Sequence, residues 1–165
     1  DFAEGHYPAE FQTVEKLAAQ YPHSFFISHH PLLGFSEWHK KLFPGNKVLQ
    51  NALYQASSGR FFPSGIDVAF HGHVHLFEAL DFQNGYPATF VTGNSGTALD
   101  EALPEVLPEQ AAPYPGAIVR HFFSTHAYGF MTLEKKTKGW IVTERDKYGN
   151  PIWRCMLSGR HCMKP

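Results

Sequence analysis

Eleven histidines in 165 residues are the feature of this chain best equipped for chemistry, and their grouping matters more than their number. A short apolar stretch at 24–28 runs into His29, His30 and Pro31, and another at 66–70 runs into His71, Gly72, His73, Val74 and His75. Alternate residues of an extended chain point the same way, so His73 and His75 project to one side. Gly72 lets the backbone approach its neighbours closely as it leaves the strand. Two imidazoles at that spacing serve one metal ion or two adjacent ones; the ligand type suits zinc, iron, manganese or nickel without choosing among them. His29, His73 and His75 are the metal-ligand candidates. His71 precedes Gly72 and reads as a buried, hydrogen-bonded group behind them. His30 adjoins His29 and is expected to point elsewhere, toward the back of the site or toward substrate. A third element, Gly93-Asn94-Ser95-Gly96, is a glycine-rich loop expected at the same strand ends. His23, His39, His121, His126 and His161 lie outside these motifs and read as surface or hydrogen-bonded residues.

The elements that must carry these side chains follow from periodicity. Phe11, Val14, Leu17 and Ala18 recur at three- and four-residue spacing, with Pro8 suited to a first turn and Pro22 just past the end, predicting a helix over 8–20. Val48, Leu49, Ala52, Leu53 and Ala56 predict a second helix over 47–56. The runs at 24–28 and 66–70 are short and apolar, as buried strands are. Helix, strand, helix, strand is the α/β pattern. After His75 strands outnumber helices, with segments predicted at 76–82, 88–92, 127–133 and 140–144 and a Phe-rich strand between His121 and His126. Asn84-Gly85 predicts a hairpin. Between Gly93 and Gly116 four prolines interrupt a stretch with little periodicity, a long surface loop of the functional kind. That loop and Trp38 are expected to line a cleft. One domain spans 1–165, with no repeat or linker.

Composition removes other readings. Hydrophobic residues at 43% supply a core, and charged residues at 18% exclude a disordered chain. A formal charge of −1 leaves no electrostatic footprint for nucleic acid or an anionic membrane. Apolar runs fall far short of the roughly 20 residues of a membrane span. Cys155 and Cys162 form no Cys-x-x-Cys pair. They are either two free thiols of a cytosolic protein or a local disulfide, which would fit an exported or periplasmic one.

Ser28-His29-His30-Pro31 after one apolar strand and Gly72-His73-Val74-His75 after another resemble the calcineurin-like metallophosphoesterases, the superfamily of the purple acid phosphatases and cyclic-nucleotide phosphodiesterases. The helix before the His-x-Pro strand fits as well. The resemblance implies a four-layer α/β/β/α sandwich, of which this chain is half, and a dinuclear metal centre of iron, zinc or manganese. It implies that His29 and His73 hold one metal and His75 the other. Gly5-His6-Tyr7-Pro8 also contains a His-x-Pro, but no apolar strand precedes it, so His29 is preferred.

The family's Asp-x-His, Gly-Asp and Gly-Asn-His motifs are absent. The Gly-Asn pairs at 45–46, 93–94 and 149–150 continue with Lys, Ser and Pro. The resemblance therefore implies a C-terminal portion of a metallophosphoesterase domain, with the carboxylate ligands and the general-acid His in an N-terminal half outside this sequence. In the complete enzyme the two ions lower the pKa of a bound water and clamp the phosphate oxygens of a phosphoester. Without a bridging carboxylate two close cations repel strongly, so the isolated chain is expected to hydrolyse phosphoesters poorly or not at all. An apolar sheet edge that would pair with the missing half is expected to be exposed and to favour self-association. The alternatives are a non-catalytic module binding one metal through its histidines and an interaction domain with incidental histidines. Substrate class and metal identity do not follow from these residues.

Overall fold

Helix α1 (Tyr7–Gln20) forms where the apolar spacing demands it: Phe11 and Ala18, two turns apart, are its buried residues. Its last turn closes with the Tyr21 amide donating to the Leu17 carbonyl at 2.8 Å, one residue before Pro22 ends the possibility of continuing. The computed structural model describes residues 7–57 and 61–164; His6 and its His-x-Pro lie outside the described residues. After α1 come β1 (Ser24–Ser28), β2 (Phe35–Trp38), β3 (Lys41–Pro44) and helix α2 (Lys47–Ala56). Asn46 caps α2, its Oδ1 accepting from the Leu49 amide at 3.1 Å. The remaining elements are all strands: β4 (Ile66–His71), β5 (Phe77–Phe82), β6 (Ala88–Thr92), β7 (Val119–Thr125), β8 (Gly129–Lys136), β9 (Gly139–Asp146), β10 (Pro151–Ser158) and β11 (His161–Met163). Residues 93–118 between β6 and β7 carry neither helix nor strand. The chain is thus mixed α/β, with strands alone after residue 75 among the described residues.

Five strands form one sheet in the order β1-β4-β6-β5-β7. β1, β4 and β6 run parallel, while β5 pairs antiparallel with β6 and β7. A second sheet orders β11-β10-β9-β8 as an antiparallel meander. Strand alternation sorts β5 between two cores. Phe77 and Ala79 pack with Val142, Cys155 and Leu157 of the second sheet, whereas Leu80 and Phe82 pack with Phe11, Leu49 and Leu53 of the helices. Phe77, Phe82 and Phe90 are fully buried, each worth about 2–3 kcal/mol of apolar transfer. The described residues therefore supply three layers: helices, mixed sheet, meander. Cys155 and Cys162 form a disulfide that ties β11 to β10. No helix among the described residues is long and apolar enough to cross a membrane.

The β2–β3 hairpin was not foreseen from residue patterns. Phe35 pairs with Pro44 and Trp38 with Lys41, and the two linking residues, His39 (φ 50) and Lys40 (φ 61), both hold positive φ. That is the geometry a two-residue hairpin turn needs. No Asn-Gly or Asp-Gly pair announces it, because the turn adopts this conformation without glycine.

Candidate metal centre

Topology brings the two histidine motifs together. β1 and β4 are adjacent and parallel, with Ser28 opposite His71, so the residues that follow each strand leave the sheet at the same end. The Gly72 amide donates to the His29 carbonyl at 3.0 Å, locking the two loops to each other. His73 then takes a positive φ of 64°, a conformation uncommon outside glycine and frequent at functional sites.

Three rings gather there. His29 Nε2 lies 3.3 Å from His73 Nδ1. The His30 and His73 ring centres are 3.8 Å apart and those of His29 and His73 5.1 Å. One ring nitrogen from each of His29, His30 and His73 falls within 4.8 Å of the others. Tetrahedral zinc with bonds of about 2.1 Å sets its nitrogens about 3.4 Å apart, so the His29–His73 pair already has coordinating separation. The donor chemistry fits a borderline transition metal. His30 and His73 are both held below the ordinary histidine pKa, first by desolvation and then by the neighbouring rings, which favours the neutral imidazole that binds metal.

His30 joins the group although adjacent residues of a strand face opposite ways. β1 ends at Ser28 and the chain bends at 29–30, so strand alternation no longer applies there. Ser28 helps fix that bend. Its hydroxyl donates to the His30 carbonyl at 3.0 Å and accepts from His71 Nδ1 at 2.9 Å. One hydroxyl has one proton, so the Ser28–His30 bond assigns the Nδ1 proton to His71. Burial drives the His71 pKa down to about 3, keeping that ring neutral. His71 Nε2 is buried without a partner, so the ring is only half satisfied.

His75 stands apart from the three-ring group. Its amide donates to Asp100 Oδ2 at 2.8 Å, and its Nδ1 lies 3.9 Å from Asp100 Oδ1. Residue patterns missed Asp100: it belongs to no metal motif, lies 25 positions away in the long loop, and only the folded path brings it back. Of the Gly93-Asn94 loop, Gly93 meets the site from behind. A Cβ there would lie 2.0 Å from the Val74 carbonyl oxygen, so only glycine fits. Asn94 faces away, fully buried, with its amide donating to the Ala127 carbonyl and to Glu144.

The other histidines hold structural partners or lie elsewhere. His23 pairs with Asp67 at 2.8 Å, and His161 with Asp81 at 2.9 Å. A cavity of about 570 Å³ runs along β7 but touches neither histidine motif. The buried Asp81 in its wall is already taken up by Arg120, His161 and the Cys162 amide. A smaller cavity of about 270 Å³ opens directly beside His30 and His73.

No protein-family model and no curated protein sequence matches this chain. Solved structures share its fold, two of them at the same TM-score. A purple acid phosphatase, PPD1 from yellow lupin (Lupinus luteus) seeds, superposes with a TM-score of 0.56 at 20% identity over 87% of this chain. GAP50, the anchor in the inner membrane complex of Plasmodium, gives a TM-score of 0.56 at 14% identity over 94%. The chain spans 27% of the first and 42% of the second. What the chain shares with these two structures is the fold.

Proposed function

We propose that this chain is the C-terminal, histidine-bearing portion of a metal-dependent phosphoesterase. The observation that carries the reading is the 3.3 Å approach of His29 Nε2 to His73 Nδ1 at the end of adjacent parallel strands. The purple acid phosphatase likeness supports it at the level of fold. His29, His73 and now His30 are the residues that would hold one ion, with His75 beside Asp100 positioned to serve a second. Such ions supply Lewis acidity and an activated water when bound. The chain's own contribution is to fix the imidazoles in place through Ser28, Gly72 and Asp100.

The three-ring group contains no carboxylate, and the chain spans about a quarter to two fifths of its structural neighbours. On this reading a bridging carboxylate, the general-acid His and the fourth sandwich layer come from a segment outside the chain. The Cys155–Cys162 disulfide is compatible with an oxidising, exported setting. A second reading has one observation in its favour. Three rings meet at a single point while His75 turns to Asp100, as in a module holding one ion without catalysis.

Metal-dependent hydrolysis of an aryl phosphate tests the proposal. A polypeptide joining this chain to the coding sequence that precedes Asp1 is expected to turn over, and the isolated chain to stay near the free-metal background. Substituting His29 and His73 together in the longer polypeptide abolishes turnover. Full activity in that double variant would overturn the assignment, and comparable turnover by the isolated chain would overturn the need for a second segment.

A further inference from the structure

The 270 Å³ cavity beside His30 and His73 has a second wall that the metal centre does not explain. That wall is the base of the β2–β3 hairpin, with Ser36, Phe43, Pro44 and Asn46 facing the two histidines across the gap. Register sorts the hairpin side chains by face, and the cavity meets both, since Phe35 and Pro44 line it as well. Ser36 pairs with Phe43, and Trp38 with Lys41, so these four share one face of the hairpin. Ser36 and Phe43 line the cavity. Trp38 and Lys41 continue the same face toward the hairpin turn.

Exposure along that face is unusual for its composition. Trp38 is 63% and Phe43 44% exposed, and the ring contact of Trp38 among the described residues is with His39 on the same turn, at 4.7 Å. Phe43 stands open on the cavity that His30 and His73 also line, and Trp38 lies two pairs further along the same hairpin face. The walls that hold them are fixed. The Asn46 amide donates to the Pro31 carbonyl at 2.9 Å, the Phe35 amide to Glu78 Oε2 at 3.0 Å, and Gln50 Nε2 to the Leu32 carbonyl at 2.7 Å. A Cβ on Gly45 would lie 2.5 Å from the Leu32 carbonyl oxygen, so the link from β3 to α2 is packed tight. A slot held this way is formed before any ligand arrives, which lowers the ordering cost of binding.

We infer that this slot receives the leaving group of the substrate, and that the substrate is a phosphate ester of an aromatic alcohol. The inference rests on the phosphoesterase reading above: the phosphoryl group sits at the histidines and the ring lies against Phe43 and Ser36, on the hairpin face that Trp38 continues. Size agrees. A cavity of about 150 Å³ admits benzene, and drug-sized ligands take roughly 300 Å³ or more, so about 270 Å³ suits one substituted ring. Aromatic walls favour a flat apolar group by stacking and edge contacts.

Calorimetry on the zinc-loaded longer polypeptide, in which this chain is joined to the sequence preceding Asp1, separates this inference from the reading beneath it. The probes are phenylphosphonate, methylphosphonate and inorganic phosphate, which share a headgroup. Phenylphosphonate is expected to bind about tenfold tighter than methylphosphonate, the gain of burying one ring face. Phe43→Ala and Trp38→Ala, both at exposed positions that the fold does not need, should bring that ratio toward one. Tyr148→Ala, on the distant β9–β10 turn, should leave it at about ten. Equal affinity for the two phosphonates, or a ratio that survives both hairpin substitutions, overturns the slot and leaves the phosphoesterase reading standing. If none of the three probes binds, the phosphoesterase reading fails and the slot fails with it.

Discussion

His29 and His73 stand 44 positions apart in the chain, yet their ring nitrogens Nε2 and Nδ1 lie 3.3 Å apart in the fold. The closeness comes from the register of two parallel strands, not from the histidines themselves. β1 and β4 align Ser28 with His71, and the Gly72 amide then holds the His29 carbonyl at 3.0 Å. At that distance one ring N–H can donate to the other ring's nitrogen, and a shared cation would take the place of that proton.

Ser28 is the joint behind that arrangement. Ser28→Ala removes the acceptor of the buried His71 Nδ1 and the donor to the His30 carbonyl. Leaving a buried donor unpaired costs about 1–3 kcal/mol, so urea unfolding should show a loss of that size. An unchanged unfolding midpoint would mean that Ser28 does not hold His71.

Asp100 braces His75 from the far end of the long loop. Asp100→Asn keeps an oxygen for the His75 amide but removes the charge near its ring. Outer partners of metal-binding histidines typically contribute 10–100-fold in affinity, so a drop of about tenfold in affinity is expected for a second bound ion. Full retention would reduce Asp100 to a loop fastener.

Glu78, which holds the Phe35 amide behind the smaller cavity, predicts a pH effect on stability. It is completely buried, accepts from the Phe35 amide through one oxygen and leaves the other without a partner. Burial raises its pKa from 4.5 to about 8. The folded state therefore binds a proton that the unfolded state has lost across that interval. The stabilisation is complete below pH 4.5 and disappears as pH rises through about 8. Glu78→Gln, a neutral isostere, should be more stable than the parent at pH 9 by roughly 5 kcal/mol and equal to it near pH 4. Parallel stability curves for the two proteins would show that Glu78 is already ionised in the fold.

Much of this architecture could be read in the residues, and the exceptions share a cause. Periodicity found α1 to within one residue and both β1 and α2 at their ends, because each buries a regular apolar face. Asn84-Gly85 marked the β5–β6 hairpin through its turn chemistry. The β2–β3 hairpin escaped because His39 and Lys40 take positive φ without the residues that normally signal it. β10 and β11 escaped because Trp153, Arg154 and Cys155 mix polar and apolar types, and their burial depends on a disulfide and on Asp81 of another sheet. At the centre, patterns could name His29 and His73 but not His30 as their neighbour, since its position depends on a bend that alternation does not encode. Asp100 was invisible for a different reason: its contact with His75 is purely a product of the loop's return path.

The central claim is that His29 and His73 hold one metal ion between them. Calorimetric zinc titration of the chain, beside a His29→Ala, His73→Ala double variant, tests it most directly. Both side chains are exposed, so circular dichroism should report an unchanged fold. The account predicts a saturable site in the parent and an affinity loss of about a hundredfold or more in the variant. Equal affinity and stoichiometry in a correctly folded variant would contradict it.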